Sequence, residues 1–376
     1  MTAHYTEDQE YIFVLGNVHD KIGGPTRTVL GYIQGLTSNG IRCRLAGVGT
    51  TQQIEQAFPN DYGIEVTPIK GSLRSKFFVL RDLFSNNQPA KTVVLVGVWH
   101  FPFMVLGLMQ YVATFLRTSR PRRMLLVPTM SLTTYDWAKH RALKAILRPL
   151  VAVIVKSLDG VVFASSGERN LSGPSAWRKA TVILHPSISV NATEAPCQGD
   201  RDIQVLFAGR LDPQKDIPLL LRTIACLDDS ATLDVVGDGS PEYVLTLKTL
   251  AADLGIADQV TWHGWKSHTE MLAYFHRARI VAVTSIIENF CHVAVEALVA
   301  ECDLILVDRV MSAVDFSQLA DISVTKPSEV DLAKEISNRL AAWDSRASSR
   351  TASAARIKDQ CRPTVAALAI ERFGSE

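Results

Sequence analysis

The feature that most restricts this chain is an alternation of strand-like and helix-like patterns that stops once and then begins again. Tyr11 to Leu15 (YIFVL) reads as a buried strand and Pro25 to Leu36 as the helix after it. Thr92 to Val96, Met124 to Val127 and Gly160 to Phe163 are further apolar runs bounded by polar residues or glycine. Residues 187–202 (SISVNATEAPCQGDRD) break the pattern, being polar, poor in large apolar residues and marked by Pro and Gly. Strands then recur at Ile203–Ala208, Leu233–Val236, Val260–His263 and Ile280–Val283. Helices are expected at Ile217–Cys226, Tyr243–Leu254, Glu270–His276 and His292–Val299.

Such a chain is expected to be an α/β protein of two Rossmann-like, doubly wound domains. Ligands bind beyond the carboxyl ends of the strands of such sheets, so two facing sheets would form an interdomain cleft. The predicted divisions are an N-terminal domain over 1–186, a linker over 187–202, a second domain over 203–345 and a helical tail over 346–376. The tail is expected to kink at Pro363 and to pack back toward the first domain.

Of the 376 residues, 47% are apolar and 20% charged, with a net charge of +1. That composition suits a globular core and gives no polyelectrolyte argument for nucleic acid. The six cysteines form no C-x-x-C pair and read as reduced thiols of a cytosolic protein. The opening MTAHYTEDQE has neither a basic n-region nor an apolar h-region, so no signal peptide is expected. The longest apolar stretch, Phe101 to Leu116, contains Gln110 and Thr114 and falls short of the ~20 residues a bilayer requires.

The chemistry concentrates between Val205 and Glu296, in VLFAGRLDPQKDIPLLL, VVGDGSPE, VTWHGW and IIENFCHVAVEAL. Arg210 and Lys215 lie just past a strand's carboxyl end, where a guanidinium fork and an ammonium suit a diphosphate. The plainer reading is a surface ion pair of Lys215 with Asp212 or Asp216. Glu288 and Glu296 are eight residues apart. With a helix starting near Cys291, Glu288 precedes it and Glu296 lies inside, each able to accept hydrogen bonds from a diol. The amides around Phe290, Cys291 and His292 then sit at a helix N-terminus, which attracts anions.

This order and spacing resemble the donor half of the retaining glycosyltransferases of family 4 (GT4). There a strand leads into G-R-x4-K, followed by a G-x-G loop, a further glycine loop and E-x7-E. The matching residues here are Gly209, Arg210 and Lys215; Gly237 and Gly239; Gly264; and Glu288 with Glu296, a stretch of about 100 residues. The resemblance implies a GT-B fold and transfer of a sugar from a UDP- or GDP-sugar, with retention of anomeric configuration. It implies no cofactor and no metal. The acceptor would be a glycan or lipid-linked molecule, in cell-surface polysaccharide assembly. It places Arg210 and Lys215 on the diphosphate, Glu288 near the donor sugar and Glu296 on the ribose. Asn289, Phe290, Cys291 and His292 would line the phosphate site. Trp265, beside Gly264, would stack on the base, or is simply a packed indole. Gly23–Gly24–Pro25 resembles the family's Gly-Gly loop. His100 resembles a histidine near the reacting sugar, or is a packed residue between Trp99 and Phe101. The candidate catalytic set is therefore Arg210, Lys215, Glu288 and His100.

The family's E-G-F-G is Glu288-Asn289-Phe290-Cys291 here, and its interdomain Asn-Gly is His185-Pro186. A catalytically silent GT-B scaffold is the alternative these departures suggest. A nicotinamide enzyme would need G-x-G-x-x-G after its first strand, where this chain has Gly16-Asn17-Val18. The Asp200–Asp202 string falls in the linker and reads as chance, and no zinc-type cluster occurs.

Residues 112–156 hold nine Lys or Arg and one acid, Asp136, interleaved with Phe115, Leu116, Trp137, Leu143, Ile146 and Leu147. The stretch is expected to touch anionic headgroups, or to be a solvated helix face. The expected location is cytoplasmic, peripheral at the inner membrane face.

Overall fold

A computed structural model of the chain describes residues 9–17, 24–57, 64–84, 91–117, 123–135, 141–172, 180–187, 201–227 and 231–373. Gly23, Cys197, Asp200 and most of the expected linker lie outside the described residues. The chain divides into two compact units, residues 1–188 with 361–376, and residues 189–360.

The first unit holds strands β1 (Glu10–Asn17), β2 (Arg42–Val48), β3 (Glu65–Ile69), β4 (Lys91–Val96), β5 (Arg123–Val127), β6 (Gly160–Phe163) and β7 (Ala180–Val182). They form one parallel sheet in the order β3-β2-β1-β4-β5-β6-β7. Its helices are α1 (Gly24–Ser38), α2 (Thr51–Ala57), α3 (Leu73–Phe84), α4 (Phe101–Leu116), α5 (Arg141–Ser157) and α6 (Ser166–Leu171). Strand β1 shows why a continuous apolar run is a central strand. Tyr11, Phe13 and Leu15 enter one core with α1 residues, while Ile12 and Val14 enter the other with Phe103 and Leu106 of α4.

The second unit holds β8 (Ile203–Ala208), β9 (Leu233–Val236), β10 (Val260–Gly264), β11 (Ala278–Val283), β12 (Asp303–Val307) and β13 (Ser323–Thr325). They too are parallel, in the order β10-β9-β8-β11-β12-β13. The helices are α7 (Ile217–Ala225), α8 (Pro241–Asp253), α9 (His268–Arg277), α10 (His292–Val299), α11 (Ala313–Leu319), α12 (Glu329–Ala341) and α13 (Ala347–Gln360). The expected boundaries differ from these by a few residues at most, as helix ends usually do.

The tail differs from its expectation. It is two helices, α13 and α14 (Pro363–Arg372), with a break where a kink was predicted. Pro363 stands in the first turn of α14, where its missing N–H has no bond to lose. Helix α13 packs on α10 and α11 of the second unit, and α14 packs on α1 of the first.

Each sheet reverses its winding once, between β1 and β4 and between β8 and β11. Loops leaving the carboxyl ends of those neighbours diverge and leave a crevice. The sequence-predicted residues follow these strands: Gly24 and His100 after β1 and β4, and Arg210, Lys215 and Glu288 after β8 and β11.

Helices α1 and α14 touch through bare backbone, since a Cβ on Gly35 would collide with the carbonyl of Pro363. Gly35→Ala should lower stability by about 2 kcal/mol in urea denaturation. Gly49→Ala, whose Cβ meets the Gln53 side chain at 3.4 Å and Ile54 at 3.7 Å in ordinary contact, should change it by under about 0.5 kcal/mol.

Candidate functional site

The glycines of the motif bring three strand ends into contact. The Gly209 amide donates to Val236 O at 3.0 Å, Gly237 to Gly264 O at 2.9 Å and Leu211 to Asp238 O at 2.8 Å. Gly237 has φ +144°, and a Cβ there would collide with the carbonyl of Gly209. The loop after β8 therefore lies flush against the loop after β9. Asp212 then caps the short 3₁₀ turn Pro213–Lys215, accepting from the Gln214 amide at 2.9 Å.

That loop is stitched to the one following β11. Ile286 donates its amide to Gln214 O at 2.8 Å, and Gln214 Nε2 donates to Ile287 O at 3.1 Å. Thr284 Oγ1 donates to Lys215 O at 3.0 Å. At the crossing, the Lys215 ammonium pairs with the Glu288 carboxylate, each side chain only about a fifth exposed. Burial disfavours the ammonium, but the Glu288 charge, with Asp212 behind it, outweighs burial and holds the Lys215 pKa above the ordinary lysine value. The surface pairing expected for Lys215 is instead made by Arg210, whose guanidinium lies 3.2 Å from Asp212 and is 77% exposed. A pair so exposed contributes little, which leaves Arg210 free to turn toward a ligand.

Beyond Glu288 the main chain is held from behind. The Met311 amide donates to Glu288 O at 2.9 Å, Ser312 to Asn289 O at 3.2 Å, and Ser312 Oγ to Phe290 O at 2.7 Å. A trans peptide aims its N–H opposite its C=O. The amides of Asn289, Phe290 and Cys291 therefore point away from residues 311–312, as a set of neighbouring donors leading into the first turn at His292. Cys291 caps α10 with φ 60°, ψ 75°, a left-handed conformation that glycine adopts without cost. Its thiol is enclosed, and burial, reinforced by the Glu288 charge, pushes its pKa up to about 12.

Glu296 lies inside α10, only 2% exposed, with His268 Nδ1 at 3.8 Å from its carboxylate. His268 starts α9 directly after the loop that carries Trp265 and Lys266. Trp265 is 69% exposed, which rules out a packed indole. Asp202 of the Asp-x-Asp string forms an exposed pair with Arg277 at 2.5 Å. Among the described residues no cluster of three or more His, Cys, Asp or Glu is placed to hold a metal ion.

In the first unit, His100 is the N-cap of α4. Its Nδ1 accepts from the Phe103 amide at 3.1 Å, and Nε2 meets Val96 O at 2.8 Å. Those partners make Nε2 the protonated nitrogen, and burial pulls the ring's pKa below its usual value. Both nitrogens thus serve the fold, so acid–base work by His100 would require breaking the cap. The ring packs on Gly16, where a Cβ would sit 2.9 Å from His100 Cβ. Around them a pocket of ≈ 560 Å³ opens at the ends of β1 and β4, lined by Lys76, Trp99, Thr129 and Ser131 among others. Gly24 opens α1, with free space where a Cβ would stand.

The sequence reading missed what shapes that pocket. Thr129 and Met130 are consecutive left-handed residues, at φ 49° and 75°. The fully buried Glu168 carboxylate accepts from the Met130 amide and, at 2.8 Å, from Ala164. The basic 112–156 segment is not one amphipathic helix. It comprises the end of α4, strand β5 and α5, with 118–122 and 136–140 outside the described residues. Lys144 turns inward over the Trp99 ring at 4.9 Å, and Arg123 donates to Ile370 O at 3.1 Å.

Residues 195–356 match the family described as glycosyl transferases group 1. The matched span contains every candidate residue of the second unit. D-inositol 3-phosphate glycosyltransferase of Mycobacterium sp. (strain KMS) is 36% identical over 126 residues, 31% of this chain and 29% of that protein. The chain thus spans under a third of the length of that curated relative. Among solved structures, Anabaena HepE in complex with UDP-glucose is similar with TM-score 0.72 and 15% identity, over 97% of this chain and 99% of that one. Sucrose-phosphate synthase from Thermosynechococcus elongatus is similar with TM-score 0.72 and 17% identity, over 97% and 98%. Likeness across both units shows the fold, which is GT-B.

Glu288→Gln should leave a half-buried ammonium without its counter-charge and cost about 2 kcal/mol at neutral pH. Because the folded pKa of Lys215 is raised, the pair's contribution is complete below the ordinary lysine pKa and fades as pH rises through the raised value. Urea denaturation of wild type and variant should therefore converge in strong alkali.

Proposed function

We propose that the chain is a retaining glycosyltransferase whose second unit holds a nucleotide-diphospho-sugar. One observation carries the reading: the loops after β8 and β11, which bring Arg210, the Lys215–Glu288 pair and the main chain of 289–291, are bonded together where the winding of the second sheet reverses. Negative charge grows on the diphosphate as the glycosidic bond breaks, and pre-oriented donors stabilise it without reorganising. Lys215 and the Asn289–Cys291 amides are held in place for this, and Arg210 swings in from solvent. Glu296 accepts from the ribose hydroxyls and Trp265 offers a face to the base.

Glu288 has two tasks in this scheme. It fixes the Lys215 ammonium, and its carboxylate reaches the donor sugar. The acceptor hydroxyl attacks the face from which the diphosphate leaves, and a departing diphosphate oxygen takes its proton. No side-chain base and no metal are invoked. The pocket of the first unit beside Lys76 and Thr129 receives the acceptor, a glycan or lipid-linked molecule of cell-surface polysaccharide assembly. The UDP-glucose complex of HepE makes UDP the first nucleotide to try, with GDP next. A silent scaffold is the weaker reading, because Arg210, Lys215, Glu288 and Glu296 are present together although both family glycines are replaced.

UDP, GDP and ADP should be compared in thermal-shift assays. One should stabilise the wild type, and Arg210→Ala and Glu296→Ala should each weaken its binding by about 1.5–3 kcal/mol, roughly 10- to 150-fold. A wild-type chain that none of the three stabilises would contradict the proposal.

A further inference from the structure

We propose that the outer face of α3, α4 and α5 is a docking surface for an anionic bilayer. On α5, Leu143, Ile146, Leu150 and Val153 form a stripe at i, i+3, i+7 and i+10 that is turned to solvent, with Ile146 75% exposed. On α4, Leu108, Val112 and Phe115 form a second exposed stripe, with Phe115 75% exposed. Phe77 and Phe78 extend the surface onto α3. The three helices adjoin: α3 packs on α4, and α4 meets α5 where Gly107 admits Ile154. Between α3 and α4 runs an apolar groove of ≈ 390 Å³ lined by Phe77, Leu108 and Val112 among others. Large apolar side chains gathered this way on one face mark a binding surface.

The charges around the face choose the occupant. Arg74, Arg81, Arg117 and Lys156 are exposed on these helices or directly after them, and Asp82 is the only acid of the three helices. A second copy related by a twofold axis would set these cations against one another. An anionic headgroup layer neutralises them while the apolar side chains enter the acyl boundary. Among the described residues no helix is long and apolar enough to cross a membrane, so the chain would lie on the bilayer.

The face adjoins the first unit's pocket through the same helices. Lys76 lines the pocket and Phe77 the groove; Phe101 and Pro102 line the pocket, and Val105 and Met109 the groove. Docking would bring that pocket to the headgroup level, where a lipid-linked acceptor resides; this last step rests on the acceptor reading above.

The test is co-sedimentation of the full chain with vesicles of phosphatidylglycerol and phosphatidylcholine, against phosphatidylcholine alone, at low and high salt. The wild type should prefer the anionic vesicles by about tenfold or more at low salt and lose the preference at high salt. Phe115→Ser with Ile146→Ser, and separately Arg81→Glu with Arg117→Glu, should each reduce binding about tenfold. These side chains are exposed, so folding should be preserved. Binding that the variants do not reduce overturns the proposal. So does a wild type that light scattering shows as a dimer and the serine variant as a monomer. Nucleotide stabilisation is read on the same samples and should be unchanged. Vesicle binding without nucleotide stabilisation would sink the donor reading and leave this surface standing.

Discussion

An ammonium and a carboxylate that meet across two loops organise the second unit. Lys215 arrives on the loop after β8 and Glu288 on the loop after β11, 73 residues apart in sequence. Taking both charges largely out of water is costly, and only close pairing offsets that cost. The pair is therefore held by its surroundings. Gln214 is bonded on both sides to 286–287, and the glycine contacts behind Gly209 keep the first loop low enough to reach. Residues 311–312 grip the carbonyls past Glu288, and that grip turns the amides outward. Loss of the ion pair would leave those bonds in place and free the Lys215 ammonium from its fixed position between the loops.

Both units store backbone strain beside the point where their sheets reverse. Cys291 adopts a left-handed conformation in the second unit, and Thr129 with Met130 does so in the first. Such conformations cost roughly 1–2 kcal/mol per residue and persist where neighbours over-determine them. Ser312 and Met311 supply that restraint in one case and the buried Glu168 in the other. This explains how Cys291 can stand where the resembling family has glycine. The main chain keeps its path, while the side chains of Asn289 and Cys291 reshape whatever lies beside them. The donor sugar is where that change should be felt.

The doubly wound architecture was legible because strands buried on both faces read as unbroken apolar runs, as YIFVL does. Helix α10 was legible to the residue, as the apolar run His292–Val299. The partner of Lys215 was not, because an ion pair between distant loops leaves no local pattern, and the nearby Asp212 and Asp216 offered a simpler answer. Glu168 was hidden for a similar reason: its position in Ser-x-x-Glu suggests an ordinary cap, while its carboxylate serves a loop 38 residues away. The apolar face was not legible because its side chains come from three helices separated in sequence, and only their packing joins them. Pro363 was recognised as a disturbance, but a proline one turn earlier or later has the opposite effect on a helix, and spacing alone did not separate the two.

The most direct measurement is a crystal structure of the chain soaked with the nucleotide diphosphate that stabilises it best. The account predicts phosphate oxygens at about 2.7–3.1 Å from the amides of Asn289 to Cys291, with Arg210 turned off Asp212 onto the same group and Lys215 beside it. A diphosphate bound elsewhere, with Arg210 still on Asp212 and those amides unengaged, would contradict it.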